Sequence, residues 1–228
     1  MLVQLLTHTP EPEQVVAAAA RLCYSASSVA DLMEKSRHDR DGLLRKILSL
    51  GHYSVLEHVS FTFGVEGISR ACSHQLVRHR LASYSQQSQR YVSHEKRFDA
   101  VTPATIATQP ELHQRYEALL EETHRVYCEL LAAGIPAEDA RFVLPNAAET
   151  KIVLTMNARE LLHLFELRCC RRAQWEIRLM AIDMLRLARQ AAPLLFAKAG
   201  PGCLQGPCPE GSMTCGEITT VRQEFEAL

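Results

Sequence analysis

Apolar residues recur along the chain with two periods, and the changes between them mark out the elements. In TPEPEQVVAAAARLCY, Thr9 stands as a candidate N-cap with Pro10 in the first turn, ahead of an Ala/Val run that predicts a helix. DGLLRKILSLG places Leu43, Leu44, Ile47 and Leu48 on one helical face and stops at Gly51, a C-terminal signal. HVSFTFGV alternates Val59, Phe61, Phe63 and Val65, which predicts a strand with one buried face. GISRACSHQLV predicts a helix that leads into a polar loop from residue 78. The longest helical pattern, PELHQRYEALLEETHRVYCELLAAG, is closed by Gly134, and IPAEDARFVLP predicts a short helix between two prolines. ETKIVLTMN predicts a second strand, followed by helices from Ala158 to Cys169 and from Ala173 to Gln190.

These elements, without an internal repeat, predict an α+β fold: a single domain with mixed helices and a small sheet over residues 1–200, then a Cys/Gly/Pro-containing tail over 201–228. No glycine-rich dinucleotide fingerprint occurs, so the fold is expected not to be a Rossmann one. A hydrophobic content of 47% is ample for a packed core in 228 residues. With 25 Lys+Arg against 26 Asp+Glu, the chain lacks the excess of basic charge of a dedicated nucleic-acid binder. No apolar run reaches bilayer length, and MLVQLLTHTPEPEQ lacks a basic leader and cleavage site, so a soluble cytoplasmic protein is expected, with no membrane or nucleic-acid partner.

The eight cysteines divide by context. Cys23, Cys72 and Cys128 lie in helical patterns and are expected to be small buried hydrophobes. Cys203, Cys208 and Cys215 fall in GPGCLQGPCPEGSMTCG, where a loosely structured tail with reduced thiols is expected. A structural zinc shared with Cys169 or Cys170 is the alternative, although the spacings match no standard ribbon or finger.

Three polar clusters carry candidate chemistry. The densest is RHRLASYSQQSQRY, residues 78–91. Arg78, Arg80 and Arg90 are permanently charged forks matched to phosphate oxygens, and His79 can hydrogen-bond or stack. Ser83, Ser85, Gln86, Gln87, Ser88 and Gln89 add short, adaptable donors. Such a loop can hold a nucleotide; a solvated polar loop is the plain alternative, weakened because the stretch contains no acid to answer its arginines. GHYSVLEH offers His52, Ser54, Glu57 and His58, at a spacing that fits no common metal site, so no metal is expected. In MNARELLHLFELRCCRRAQWEIR, Asn157, Arg159 and His163 stand at a helix entry, whose positive end favours an anion. Arg168, Arg171, Arg172 and Arg178 follow, and could equally pair with Glu160, Glu166 and Glu176 on the helix surface.

Arg78-His79-Arg80, seven residues, then Ser88 resembles the RHR-x7-S signature of the flavin-dependent thymidylate synthases. The blocks GHYSVLEH, ARFVLPNAAETK, MNAREL and LRCCRRAQWEIR resemble that family's other blocks in order, over residues 1–200. The resemblance implies reductive methylation of dUMP to dTMP, with methylenetetrahydrofolate as carbon donor, FAD as cofactor and NADPH as reductant. It also implies a homotetramer with the FAD and dUMP sites at subunit interfaces. FAD would be contacted by Arg78, His79, Arg80 and Leu81, by His52, Ser54 and Glu57, and by Asn157, Arg159 and His163. The nucleotide would be held by Gln75, Arg78, Gln86, Gln87, Ser88, Gln89, Arg90 and Arg141. Arg168 would promote ionisation at N3 of the uracil ring as the catalytic group, and Ser88, with no base identifiable beside it, would be a contact and not a nucleophile.

Two positions depart from the family pattern. Cys23 falls where relatives can carry a serine near FAD, so that contact is not carried over, and Gln86 replaces an acid found in some relatives. Two other classes fit the same clusters: a flavoenzyme of other activity, or a non-catalytic nucleotide- or RNA-binding module using the basic blocks at 78–90 and 168–178.

Overall fold

Helices and strands alternate through residues 1–93 and 97–228, which the computed structural model describes. The strands are β1 (Leu2–His8), β2 (Ser60–Ser69), β3 (Ala82–Gln86) and β4 (Glu149–Asn157), in one sheet of order β1-β2-β4-β3. The helices are α1 (Pro12–Leu22), α2 (Val29–His38), α3 (Asp41–Ser49), α4 (Arg70–Leu76), α5 (Ala104–Ala107), α6 (Pro110–Ala132), α7 (Ala137–Ala140), α8 (Ala158–Arg168), α9 (Trp175–Ala191) and α10 (Ile218–Glu226), and a 3₁₀ turn runs over Tyr53–His58. The protein is α+β, as its periodicities predict.

The two alternating patterns are strands for the expected reason: β2 buries Phe61, Phe63 and Val65, and β4 buries Thr150, Ile152, Leu154 and Met156, at period two. β1 and β3 carry no such signal. No residue of β1 is fully buried, and β3 is the polar stretch ASYSQ inside the segment expected to be a loop. Its half-buried alternate residues include hydroxyl and amide side chains, so hydropathy alone does not reveal it.

The chain divides into two compact units, one of Met1–Leu2, Val65–Arg78 and Ser85–Val153, the other of Val3–Gly64, His79–Tyr84 and Leu154–Leu228. In the first, Phe98, Leu120 and Ala148 form a small core with Tyr116 and Leu144 packed on it. In the second, Phe61 and Phe165 meet Phe196 edge-on, with ring centroids 5.3 and 5.9 Å apart.

Helix ends in the second unit are set by local chemistry. Thr9 is not the cap of α1. Its N–H donates to the Ser60 carbonyl and its hydroxyl accepts from the Ser60 N–H, both at 3.0 Å, so Thr9 is tied to β2. The helix begins instead at Pro12, after Glu11 in a left-handed conformation. α2 opens on Ser28, whose hydroxyl accepts from the Asp31 N–H; only Leu32 and Ser36 of this helix are buried, so its pattern is faint. α3 ends as predicted at Gly51, with φ +71°. The N–H groups of Gly51 and His52 donate to the carbonyls of Leu48 and Ile47, the paired bonds of a Schellman cap.

The tail is ordered, which corrects the expectation of a loose one. Arg222 on α10 donates to the carbonyls of Cys203 and Gly206, at 3.0 and 2.8 Å. Arg189 on α9 donates to the carbonyls of Phe196, Ala199 and Phe225, while Val221 and Phe225 are buried. Glycine-rich composition disguised a segment held by arginines and two apolar anchors. A Cβ at Gly200, with φ +144°, would stand 2.9 Å from the Phe225 ring. Cys72 is buried and Cys128 half-buried, but Cys23 is exposed, because it follows the last residue of α1 at the open end of that helix. All eight cysteines are free, and among the described residues no three His, Cys, Asp or Glu side chains are grouped to hold a metal ion.

Candidate functional site

The first unit gathers most of the residues expected to hold a nucleotide. Ser69 caps α4 by accepting from the Cys72 N–H, and the helix carries Gln75 in its last turn with Arg78 just beyond. At the end of β3, the Gln86 amide donates to the hydroxyls of Ser73 and Thr150, at 2.9 and 3.1 Å. Gln87 donates its N–H to the Lys151 carbonyl at 2.9 Å. A turn follows in which the Ser88 hydroxyl accepts from the Arg90 N–H and the Ser88 carbonyl accepts from Tyr91 and Val92. Gln89 is half-buried in that turn.

The arginines are not all unanswered. Arg90 reaches the Glu138 carboxylate at 2.5 Å, an acid from outside the 78–91 stretch. Arg141 donates to the Glu138 carbonyl at 3.0 Å. Arg70, absent from the sequence-derived set, lies near Arg141: burial, and then the Arg141 charge, lower its pKa. Arg78 is exposed and has no acidic partner among the described residues.

The second unit holds the residues expected at a flavin apart from Arg78, which lies in the first. The Schellman cap at Gly51 delivers His52 to the start of the 3₁₀ turn, which carries Ser54 and Glu57. Glu57 pairs with Arg159 on α8 at 2.5 Å. Asn157 caps that helix, its side-chain oxygen accepting from the Glu160 N–H at 2.9 Å. A cavity of about 1130 Å³ is lined by Glu57, Leu81, Asn157, Arg159 and His163 of the expected set; His52, Ser54, His79 and Arg80 of this unit are outside its lining. Leu81 is 69% exposed, an apolar surface at the cavity wall.

Beside these, two buried side chains and the half-buried Arg168 form a chain. His79 is 4% exposed and Glu160 7%. His79 Nδ1 stands 3.0 Å from Glu160 Oε1, and Arg168 Nε donates to His79 Nε2 at 3.1 Å. The Tyr84 hydroxyl donates to the His79 carbonyl at 2.8 Å, and the His163 ring meets the His79 ring edge-on. Burial lowers the His79 pKa; the Glu160 bond opposes this and the Arg168 charge reinforces it. Burial, and next the Glu160 charge, raise the Tyr84 hydroxyl.

The third cluster reaches beyond pairs on its own helix surface. Glu160 and Glu176 are buried, Arg168 turns to His79, and Arg171 and Arg178 both bind Glu224 in the tail, with Glu217 a second partner of Arg171. Sequence reasoning missed the roles of Glu160, Tyr84 and Arg70. Asn157 followed three residues later by Glu160 is a helix-start pattern, and that signal hides a tertiary partner behind a local one.

Clustered arginines in one unit and a large cavity lined by both cationic and acidic side chains in the other describe an α+β protein with room for polar ligands. A family model described as thymidylate synthase complementing protein matches residues 4–194, and the chain belongs to that family. It is similar to a flavin-dependent thymidylate synthase of Geobacter sulfurreducens, 58% identical over 230 residues, covering 100% of this chain and 99% of that protein. Proteins of the same name from Clostridium tetani and Pyrococcus furiosus are each 44% identical, over 98% and 99% of this chain and 96% and 97% of their own lengths.

Proposed function

We propose that this chain is a flavin-dependent thymidylate synthase, converting dUMP to dTMP with methylenetetrahydrofolate, FAD and NADPH. The observation that carries this is the full-length likeness to proteins of that name, at up to 58% identity. The RHR-x7-S segment and the Arg168 geometry agree with it.

Gln75, Arg78, Gln86, Gln87, Ser88, Gln89, Arg90 and Arg141 hold dUMP, with Arg70 as a further cation beside Arg141. Gln86 stands where some relatives carry an acid; its amide nitrogen donates to two hydroxyls, so it alters the hydrogen bonding around the nucleotide. His52, Ser54, Glu57, Arg78, His79, Arg80, Leu81, Asn157, Arg159 and His163 hold FAD. The second unit's cavity suits such a ligand: it is large, Leu81, Leu194 and Leu195 give it apolar wall, and Arg45, Lys46 and Lys198 on it have no acidic partner among the described residues. Once reduced by NADPH, FAD supplies the hydride that completes the methyl group.

The chain's own part is binding and electrostatics. Arg168, held by His79, places a fixed guanidinium where negative charge develops on the uracil ring at N3, and density is pushed toward C5. Ser88 uses its hydroxyl to accept from the Arg90 N–H and serves as a contact, not an attacking group.

Residues 1–200 carry this chemistry, and 201–228 are an appended segment. The assembly is a homotetramer with ligands at subunit interfaces, a reading supported by membership of the family. Among the described residues no helix is long and apolar enough to cross a membrane, in keeping with a cytoplasmic enzyme. The test is a dTMP assay with dUMP, methylenetetrahydrofolate, FAD and NADPH, each omitted in turn. Formation of dTMP that needs all four is expected; dTMP formed without FAD, or none with all four, contradicts the proposal.

A further inference from the structure

We infer that Glu160 is a positioning residue for Arg168, acting through His79: it fixes the imidazole tautomer that presents a lone pair to the guanidinium. This rests on the reading of Arg168 as the group that faces the uracil ring.

The argument is one of donors and acceptors. Arginine Nε always carries a hydrogen, so at 3.1 Å from His79 Nε2 it must be the donor and Nε2 must be bare. A neutral imidazole has one ring proton, which is then on Nδ1, where Glu160 Oε1 accepts it at 3.0 Å. The other tautomer would set N–H against N–H on one side and a lone pair against a carboxylate on the other. A doubly protonated ring would face the guanidinium with like charge. Glu160, Arg168 and His163 are the titratable or charged groups around the ring, and burial with the Arg168 charge favours the neutral form.

Glu160 is itself placed firmly. It is almost fully buried, and its N–H is held by the Asn157 cap. Glu160 and Arg168 belong to the same helix, α8, so the imidazole bridges two groups whose spacing the helix already fixes. Tyr84 anchors the His79 backbone from the following strand. Removing the carboxylate frees the ring to change tautomer, and Arg168 Nε–H then loses the lone pair of His79 Nε2.

The test combines two readouts on the full-length protein. The first is nitrogen-15 NMR of the histidine rings in the protein without substrate, with the His79 signal identified by its loss in His79→Asn. A proton on Nδ1 and a bare Nε2 are expected in the wild type, and loss of that preference in Glu160→Ala. A proton on Nε2 in the wild type overturns the inference.

The second readout is kinetic, on the FAD-loaded enzyme. Glu160→Ala is expected to lower kcat about 10- to 100-fold, by analogy with the loss when the outer hydrogen-bond partner of a metal-ligating histidine is removed. With FAD saturating, dUMP affinity should stay within about twofold of wild type, and Glu160→Gln, which keeps an acceptor for Nδ1–H, should recover most of the rate. Because Glu160 acts through Arg168, the double variant Glu160→Ala, Arg168→Ala should be no slower than Arg168→Ala alone. Additive losses, or a normal kcat in Glu160→Ala beside an impaired Arg168→Ala, overturn the inference and leave the reading of Arg168 standing. Normal turnover in Arg168→Ala instead removes that reading, while the tautomer measurement still decides what Glu160 does to the ring. If the alanine variant does not fold, the wild-type tautomer and the glutamine variant decide.

Discussion

Arg90 stands between two claims on its guanidinium: the Glu138 carboxylate beside it and the phosphate it is proposed to bind. The ion pair is half exposed, so it adds little to stability, on the order of 0–1 kcal/mol. A bound phosphate would gain a charge-assisted, two-pronged contact there, worth roughly 1.5–3 kcal/mol. Arg90→Ala is therefore expected to weaken dUMP binding about tenfold or more, with almost no change in melting temperature. Calorimetric titration with dUMP measures the first and thermal unfolding the second; a normal affinity would take Arg90 out of the phosphate site. The arginines themselves were legible in the sequence, because their types and spacing are local. Their partners were not: Glu138 lies far along the chain from Arg90, and Glu160 is 81 residues from His79. Nothing in a local pattern distinguishes an acid that caps a helix from one that grips an imidazole.

At the scale of elements, the helix stop at Gly51 does more than end α3. Its φ of +71° and the two N–H bonds of the cap fix where the next residue, His52, begins the 3₁₀ turn. No atom would meet a Cβ at Gly51, so an alanine there is opposed by backbone strain alone, about 1–2 kcal/mol. Gly51→Ala should lower the unfolding free energy by that amount in a urea titration, and Gly51→Asn by less, since asparagine tolerates the left-handed region. Equal losses for both would argue for a steric cause. Strands β2 and β4 and the Gly51 and Gly134 stops could be read directly, because burial on one face and a left-handed glycine each leave a mark in composition. β1 lacks a fully buried face, β3 is built of polar residues, and α10 is fastened by distant arginines; their signal is tertiary.

At the scale of the whole molecule, the buried His79 ties stability to pH. Its pKa is depressed below 6.5 on folding, chiefly by burial, so between the two values the unfolded chain binds more protons than the folded one. Stability is then fully present above the ordinary histidine range and falls as pH drops through it toward the depressed value. Urea midpoints at pH 7.5 and 5.5 should show this loss, and His79→Asn should lessen it; an unchanged slope would mean that His79 is not its source. Glu224 behaves in the opposite chemical sense with the same outcome at lower pH. Burial raises its pKa, but the bonds from Arg178 and Arg171 outweigh that and hold it down, so tail docking weakens only when the carboxylate is protonated in acid. The central claim concerns chemistry, and anaerobic single turnover tests it most directly. The protein's FAD is reduced with NADPH, dUMP and methylenetetrahydrofolate are added, and flavin absorbance and dTMP are followed together. Flavin reoxidation matched one for one by dTMP is the expected result. Reoxidation without dTMP, or a flavin that stays reduced with both substrates present, would contradict the assignment.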